Sequence, residues 1–164
     1  TAAELPEVLA AYDAWSAYRP EAEGVLVAYT SIYGHTAAAA EKLAAALQEK
    51  GKEVCVMDLA RCDMAEAVAQ AFRYSKLVLA SPTYNGDVFP FTKSFIEHLT
   101  ERNYQNRTVA FVENGSWAPT AARVMTKMLE GAKNLTVAAP TVTVKGALNS
   151  DSEAQIAALA DALC

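Results

Sequence analysis

A chain of 164 residues is long enough for one domain that buries roughly 70% of its unfolded surface without disulfide or metal staples. Apolar residues make up 52% and charged ones 20%, which excludes a disordered segment, and no apolar run approaches the ~20 residues of a spanning helix. The net charge of −5 comes without a basic cluster, so neither nucleic acid nor an anionic membrane is expected as a partner.

Cys55, Cys62 and Cys164 show neither CxxC nor metal-ligand spacing, and no signal peptide is visible. A reduced, cytoplasmic setting is expected, with Cys55 acting as a small apolar residue. The first residue, Thr1, is not Met, so a fragment or a processed form is expected.

Residues 5–18 place Val8, Leu9, Tyr12 and Trp15 on one helical stripe, with Pro6 in the first turn. A polar connector, Arg19 to Glu23, follows. Residues 1–23 read as a linker helix arriving from an upstream domain or as an extension docked on apolar surface. Residues 24–164 form the domain itself.

That domain opens with Val25 to Tyr29, a buried strand. The strand ends in Thr30-Ser31-Ile32-Tyr33-Gly34-His35-Thr36, where five of seven side chains carry a polar group. An alanine-rich helix from Ala37 to Lys50, closed by Gly51, comes next. A strand that empties into a helix N-terminus aims unpaired N–H groups and the positive dipole end at one point, which is an anion site. Thr36 is placed as N-cap, and the hydroxyls of Thr30, Ser31 and Tyr33 add donors. The loop has no Walker lysine, no GxGxxG and no phosphatase cysteine. It reads as an uncharged pocket for one terminal phosphate, or else as an ordinary turn whose hydroxyls face water.

A second strand, Glu53–Met57, leads to a helix over Met64–Arg73 with Ala65, Val68, Ala69 and Phe72 on one face. The third strand, Lys76–Ala80, runs into the loop Ser81-Pro82-Thr83-Tyr84-Asn85-Gly86-Asp87. A helix from Phe89 to Leu99 turns Phe91, Phe95, Ile96 and Leu99 inward. The fourth strand, Arg107–Val112, is followed by Glu113-Asn114-Gly115-Ser116-Trp117-Ala118 and by a helix over Thr120–Glu130 that Gly131 stops. Thr136–Val144 carries the fifth strand, interrupted or led in by Pro140. The last helix, Ser152–Leu163, has Ser150 or Asp151 as its cap.

Strands alternating with helices predict an α/β fold, a doubly wound five-stranded parallel sheet of order 2-1-3-4-5. Its ligand crevice lies past the C-terminal ends of strands 1 and 3. Three loops converge there. Tyr84 offers a stacking ring, Asn85 an amide, Gly86 a freely rotating peptide, and Asn114, Gly115, Ser116 and Trp117 a second glycine turn with an indole. Such a cradle suits a flat heterocycle joined to one phosphate, and FMN is that ligand.

The stretches TSIYGHT, SPTYNG followed by Phe89-Pro90, and NGSW resemble those of flavodoxins, and most closely the flavodoxin-like domain of flavodiiron proteins. The likeness covers Gly24 to the C-terminus, and the preceding helix resembles the interdomain linker of that family. His35 stands where Asn is usual, and Glu113 to Trp117 replaces a commoner Gly-Ser-Tyr-Gly-Trp. The resemblance implies that Thr30, Ser31, Ile32, Tyr33, Gly34, His35 and Thr36 hold the FMN phosphate. Pro82, Thr83, Tyr84, Asn85 and Gly86, with Asn114, Gly115, Ser116 and Trp117, would flank the ring. It further implies that the Gly86 peptide pairs with flavin N5, its carbonyl turning to accept the proton gained on reduction.

In whole flavodiiron proteins a di-iron domain precedes this one and reduces oxygen or nitric oxide. With His35 and His98 as its only histidines, this chain is expected to carry electrons and not to reduce either gas alone. No catalytic residue and no metal ligand are expected. The resemblance implies a rubredoxin or flavin reductase as donor, an upstream di-iron domain as acceptor, and a homodimer. Asp87 and Glu113 are the candidate carboxylates, each standing either beside the ring or out in water. At about 6 Å and an effective dielectric near 20, each would oppose an added negative charge by roughly 3 kcal/mol. The alternative is a flavodoxin-like NAD(P)H:quinone oxidoreductase. A receiver domain would need an acceptor Asp where Ala80-Ser81 end the third strand, and a flavin-free interaction domain would ignore FMN.

Overall fold

A strand in the middle of a parallel sheet is covered on both faces, and Val25, Leu26, Val27 and Ala28 are all fully buried. The computed structural model describes residues 3–164. In chain order its elements are α1 (Leu5–Ser16), β1 (Ala22–Tyr29), α2 (His35–Glu49), β2 (Val54–Asp58), α3 (Met64–Arg73), β3 (Tyr74–Tyr84) and β4 (Asp87–Val88). They continue with α4 (Pro90–Glu101), β5 (Arg107–Asn114), α5 (Ala121–Leu129), β6 (Leu135–Val137), β7 (Val142–Val144) and α6 (Ser150–Ala162).

The sheet runs β2-β1-β3-β5-β6, the order expected, with β7 also on β5 and β4 on β3. Alternation along the strands makes the two layers. Leu26, Leu77, Leu79, Val109 and Phe111 face α3, α4 and α5 together with Phe95, Leu99 and Met125. Val25, Val27, Val78, Ala110, Val112, Val142 and Val144 face α2 and α6 with Leu43, Leu47, Ile156 and Leu159. Every strand of the main path is parallel, so all the strand-to-helix loops lie at one edge.

Several local expectations change. The fifth strand is split into β6 and β7 around Pro140, whose missing N–H cannot continue the ladder, and the Ala139–Pro140 peptide is cis. The third strand runs on through Ser81 and Pro82 to Tyr84 and turns back into β4 through Asn85-Gly86, both at positive φ. An Asn-Gly pair with φ above zero at both central positions is the turn whose twist fits a hairpin. Phe91, expected inward, is 44% exposed and packs on Phe89 instead. In α3 the inward residues are Ala67, Val68 and Ala71, with Ala65 and Ala69 outside. Alanines on every side leave that helix's facing to Val68 and Phe72. The cap of α6 is Asn149, reciprocated by Ser152, rather than Ser150 or Asp151.

On α1 the stripe of Val8, Leu9, Tyr12 and Trp15 faces solvent, and the helix buries none of its residues. What joins this segment to the sheet is Arg107, buried at the first position of β5. Its guanidinium donates to the carbonyls of Tyr18 at 2.6 Å, Gln105 at 2.8 Å, Phe72 at 2.6 Å and Tyr74 at 3.1 Å. Burial pushes the guanidinium pKa down, but the fork still turns its donors to main-chain oxygens from several segments. Arg107→Met is expected to leave those carbonyls unsatisfied and to lower stability by about 2–4 kcal/mol, read as a lower urea midpoint at unchanged slope.

Candidate functional site

Gly34, at φ 88°, is the N-cap of α2, a left-handed conformation that a Cβ would strain. The Ser31 hydroxyl accepts from the Gly34 N–H at 3.0 Å and tightens the loop, but no side chain caps the helix. The N–H groups of its first turn therefore open outward, where the helix dipole adds its positive end. Thr36, expected as the cap, is instead the second helical residue and 2% exposed. The sequence offered a Thr two positions beyond a Gly, and the glycine took the turn.

A cavity of about 340 Å³ lies at this opening, lined by Ile32, Tyr33, His35, Thr36, Pro82, Thr83, Asn114, Gly115, Ser116 and Gly146. No Lys or Arg is among these residues. A larger cavity of about 450 Å³ sits at the opposite edge of the sheet, between Thr100–Gln105 and Gly131–Lys133. It is bordered by the C-terminal ends of α4 and α5, whose carbonyls repel an anion.

The walls are tied together through the neighbouring helix. The Thr83 hydroxyl oxygen accepts from the N–H groups of Thr120 at 3.0 Å and Ala121 at 3.3 Å. Glu113 accepts from the Ala122 N–H at 2.9 Å through one oxygen and from the Thr143 hydroxyl at 3.0 Å through the other. The opening amides of α5 are thus consumed within the protein, while those of α2 are left to a ligand. Asn114 and Gly146 exchange two bonds, side-chain amide to carbonyl at 3.0 Å and N–H to side-chain oxygen at 3.1 Å. Gly146 was not among the expected residues. Its signal is a glycine two positions after the last strand, at the same sheet edge as the other loops.

Of the expected residues, the structure brings Ile32, Tyr33, His35, Thr36, Pro82, Thr83, Asn114, Gly115 and Ser116 to one cavity. Ser31 and Gly34 shape its loop, and Tyr84, Asn85, Gly86 and Trp117 lie outside the lining on exposed turns. Trp117 is 99% exposed and Tyr33 86%, while Tyr84 meets Phe89 edge to face. Thr30 is a correction. It is fully buried, and its hydroxyl pairs with Thr92 at 2.8 Å on the far side of the sheet from the cavity. Strand alternation after Ala28 sends that side chain under α4.

The two candidate carboxylates are corrected as well. Glu113 is 8% exposed and serves α5 as described. Asp87 pairs with Lys93 at 2.9 Å and accepts from the Val88 N–H at 2.8 Å; the lysine hydrogen bond first, then the amide, holds its carboxyl below the usual range. His98 lies on α4 beside Arg102, at 3.2 Å. Among the described residues, no cluster of His, Cys, Asp or Glu could hold a metal ion, and no helix is long and apolar enough to cross a membrane.

A family model described as a flavodoxin domain matches residues 26–152. The nitric oxide reductase of Moorella thermoacetica is 26% identical over 139 residues, covering 84% of this chain and 34% of that protein. Among solved structures, rubredoxin oxygen:oxidoreductase of Desulfovibrio gigas superposes with a TM-score of 0.90 at 19% identity, over 99% of this chain and 40% of that one. A flavo-di-iron protein of Thermotoga maritima gives 0.81 at 22% identity, over 98% and 40%. The chain therefore spans about a third of the curated relative and two fifths of these structures. A flavodoxin model that matches most of the sequence, on a sheet of the same order, makes this chain a member of the flavodoxin domain family.

Proposed function

We propose that this chain binds FMN and works as the electron-transfer domain of a flavodiiron-type reductase. One observation carries the reading: an uncapped helix N-terminus, φ 88° at Gly34, opens into a cation-free cavity walled by the loops after β3 and β5. Those residues fit the group. A phosphate dianion matches the free amides of α2 and the hydroxyl of Thr36, and Thr83 and Gly115 border the space for the polar tail. Tyr84 and Trp117 stand on turns to either side, with the area to cover a flat ring.

When bound, FMN supplies the one- and two-electron chemistry, and no side chain acts as acid, base or nucleophile. The work of the chain is to bind and orient. The α2 amides grip the phosphate, Asn114 and Gly146 keep the far wall closed, and the Asn85-Gly86 turn offers a peptide to the ring edge. Relatives named as a nitric oxide reductase and a flavo-di-iron protein are two to three times longer than the matched region. Their names and length support a di-iron partner domain as acceptor; a rubredoxin or flavin reductase as donor and a homodimer that brings the centres together complete the proposal.

The purified chain, mixed with FMN, is expected to take on a bound-flavin visible spectrum; a colourless protein that ignores FMN would refute the reading. Riboflavin, which lacks the phosphate, is expected to bind about 100-fold more weakly by fluorescence titration. Gly34→Ala should cost roughly 1–2 kcal/mol in strain at the left-handed position and weaken FMN more than riboflavin. Trp117→Ala and Tyr84→Ala should each weaken FMN and riboflavin alike, by about 1–3 kcal/mol.

A further inference from the structure

His35 is the first residue of α2, directly after Gly34, and it lines the cavity at that helix's N-terminus. It is exposed and has no hydrogen-bond or ion-pair partner among the described residues, whereas His98 lies against Arg102 at 3.2 Å. Of the residues lining the cavity, Tyr33 and His35 alone carry ionisable side chains, and only His35 can become a cation. Charges on the surrounding elements are engaged with other groups or face solvent. Lys42 of α2 pairs with Glu153 of α6 at 2.5 Å, Asp87 after β3 with Lys93 at 2.9 Å, and Glu113 after β5 is turned into α5. Glu41 of α2, Lys145 after β7 and Asp151 of α6 are exposed.

We propose that His35 is a proton-switched contact for the phosphate of the bound ligand, a neutral neighbour in alkaline solution and a cationic partner in acid. This rests on the FMN reading above and adds a pH dependence to it. Histidine is the side chain whose charge changes between about pH 5 and 8. A phosphate placed at the α2 amides brings negative charge to the cavity that His35 borders, and an adjacent anion favours the imidazolium. Linkage makes the preference mutual: the imidazolium favours the phosphate by the same factor, with the proton drawn from solvent. The contribution of His35 to affinity is therefore complete below the imidazole pKa of the complex and is lost as pH rises through it. Riboflavin has no phosphate and gains nothing from the protonated ring.

The test titrates the wild-type chain, His35→Asn and His35→Lys with FMN and with riboflavin, by flavin fluorescence at pH 5.5 and pH 8.5. Comparing the chains at one pH cancels the ionisation of the ligand's own phosphate, whose second pKa is near 6. His35→Asn is expected to bind FMN about fivefold more weakly than wild type at pH 5.5 and equally at pH 8.5. His35→Lys, charged throughout, should match wild type at pH 5.5 and bind FMN more tightly than wild type at pH 8.5. Riboflavin should not distinguish the three chains at either pH. Calorimetry at pH 6.5, in two buffers of different ionisation enthalpy, should show more proton uptake on FMN binding by wild type than by His35→Asn. A ratio between His35→Asn and wild type that is the same at both pH values would overturn the role of His35 and leave the FMN reading standing. A constant loss is the mark of a merely structural residue, and a constant ratio of one is that of no contact. Equal proton uptake by the two chains would overturn it as well. A wild-type chain that binds no FMN would remove both readings together.

Discussion

The molecule depends on one group of unpaired donors, the first-turn amides of α2. Gly34 turns the chain into that helix without offering a side chain to satisfy them, and β1 places them at the switch point of the sheet. Three other helices of the domain are closed from within, whereas α4, which starts at Pro90, has no side-chain cap. Asp63 caps α3, Asn149 with Ser152 caps α6, and Thr83 with Glu113 takes the amides of α5. An open helix mouth beside closed ones is a cost in stability that a bound anion offsets, since each amide then gains a charge-assisted partner.

That economy explains why the cavity needs no lysine or arginine. The nearest carboxylates are disarmed: Asp87 by Lys93, and Glu113 by the positive end of α5 and the Thr143 hydroxyl. Glu113 also has a mechanical part. It fixes the start of α5, from which Thr120 reaches back to Gly86, so the loops after β3 and β5 move as one unit. The only buried arginine among the described residues, Arg107, is spent at the opposite edge, on main-chain carbonyls that anchor the segment after α1.

How far the sequence carries is seen element by element. Buried runs such as Val25–Ala28 and Leu77–Ala80 name their strands, because only a two-sided parallel sheet hides every side chain in a row. The bounds of Met64–Arg73 are recovered to the residue, and Asp63 caps the helix, but its alanines did not give the inward face. The site loops follow from topology alone. What does not follow is which way a side chain points when its partner is far along the chain. Thr30 was read as a phosphate ligand, yet Thr92, sixty-two residues later, holds it. Glu113 is expected either beside the ring or in water, yet Ala122 and Thr143 claim both oxygens. The Asn85-Gly86 pair lies in a stretch expected as a plain loop, yet it is the strongest short turn signal available and it closes a hairpin.

These facing directions change the electrostatic argument itself. An unpaired carboxylate near the ring would oppose reduction by roughly 3 kcal/mol, and two of them would have dominated every other influence. With Asp87 in an ion pair and Glu113 turned into a helix end, most of that field is cancelled at its source. What remains within reach of a ring beside the Asn85-Gly86 turn is short-range and directional, and a net hydrogen bond is worth about 1 kcal/mol. On this physics the potential of the proposed flavin is governed less by the chain's net charge than by the donors and acceptors the turn can present. In that turn the Gly86 carbonyl already accepts from the Thr120 hydroxyl at 3.2 Å.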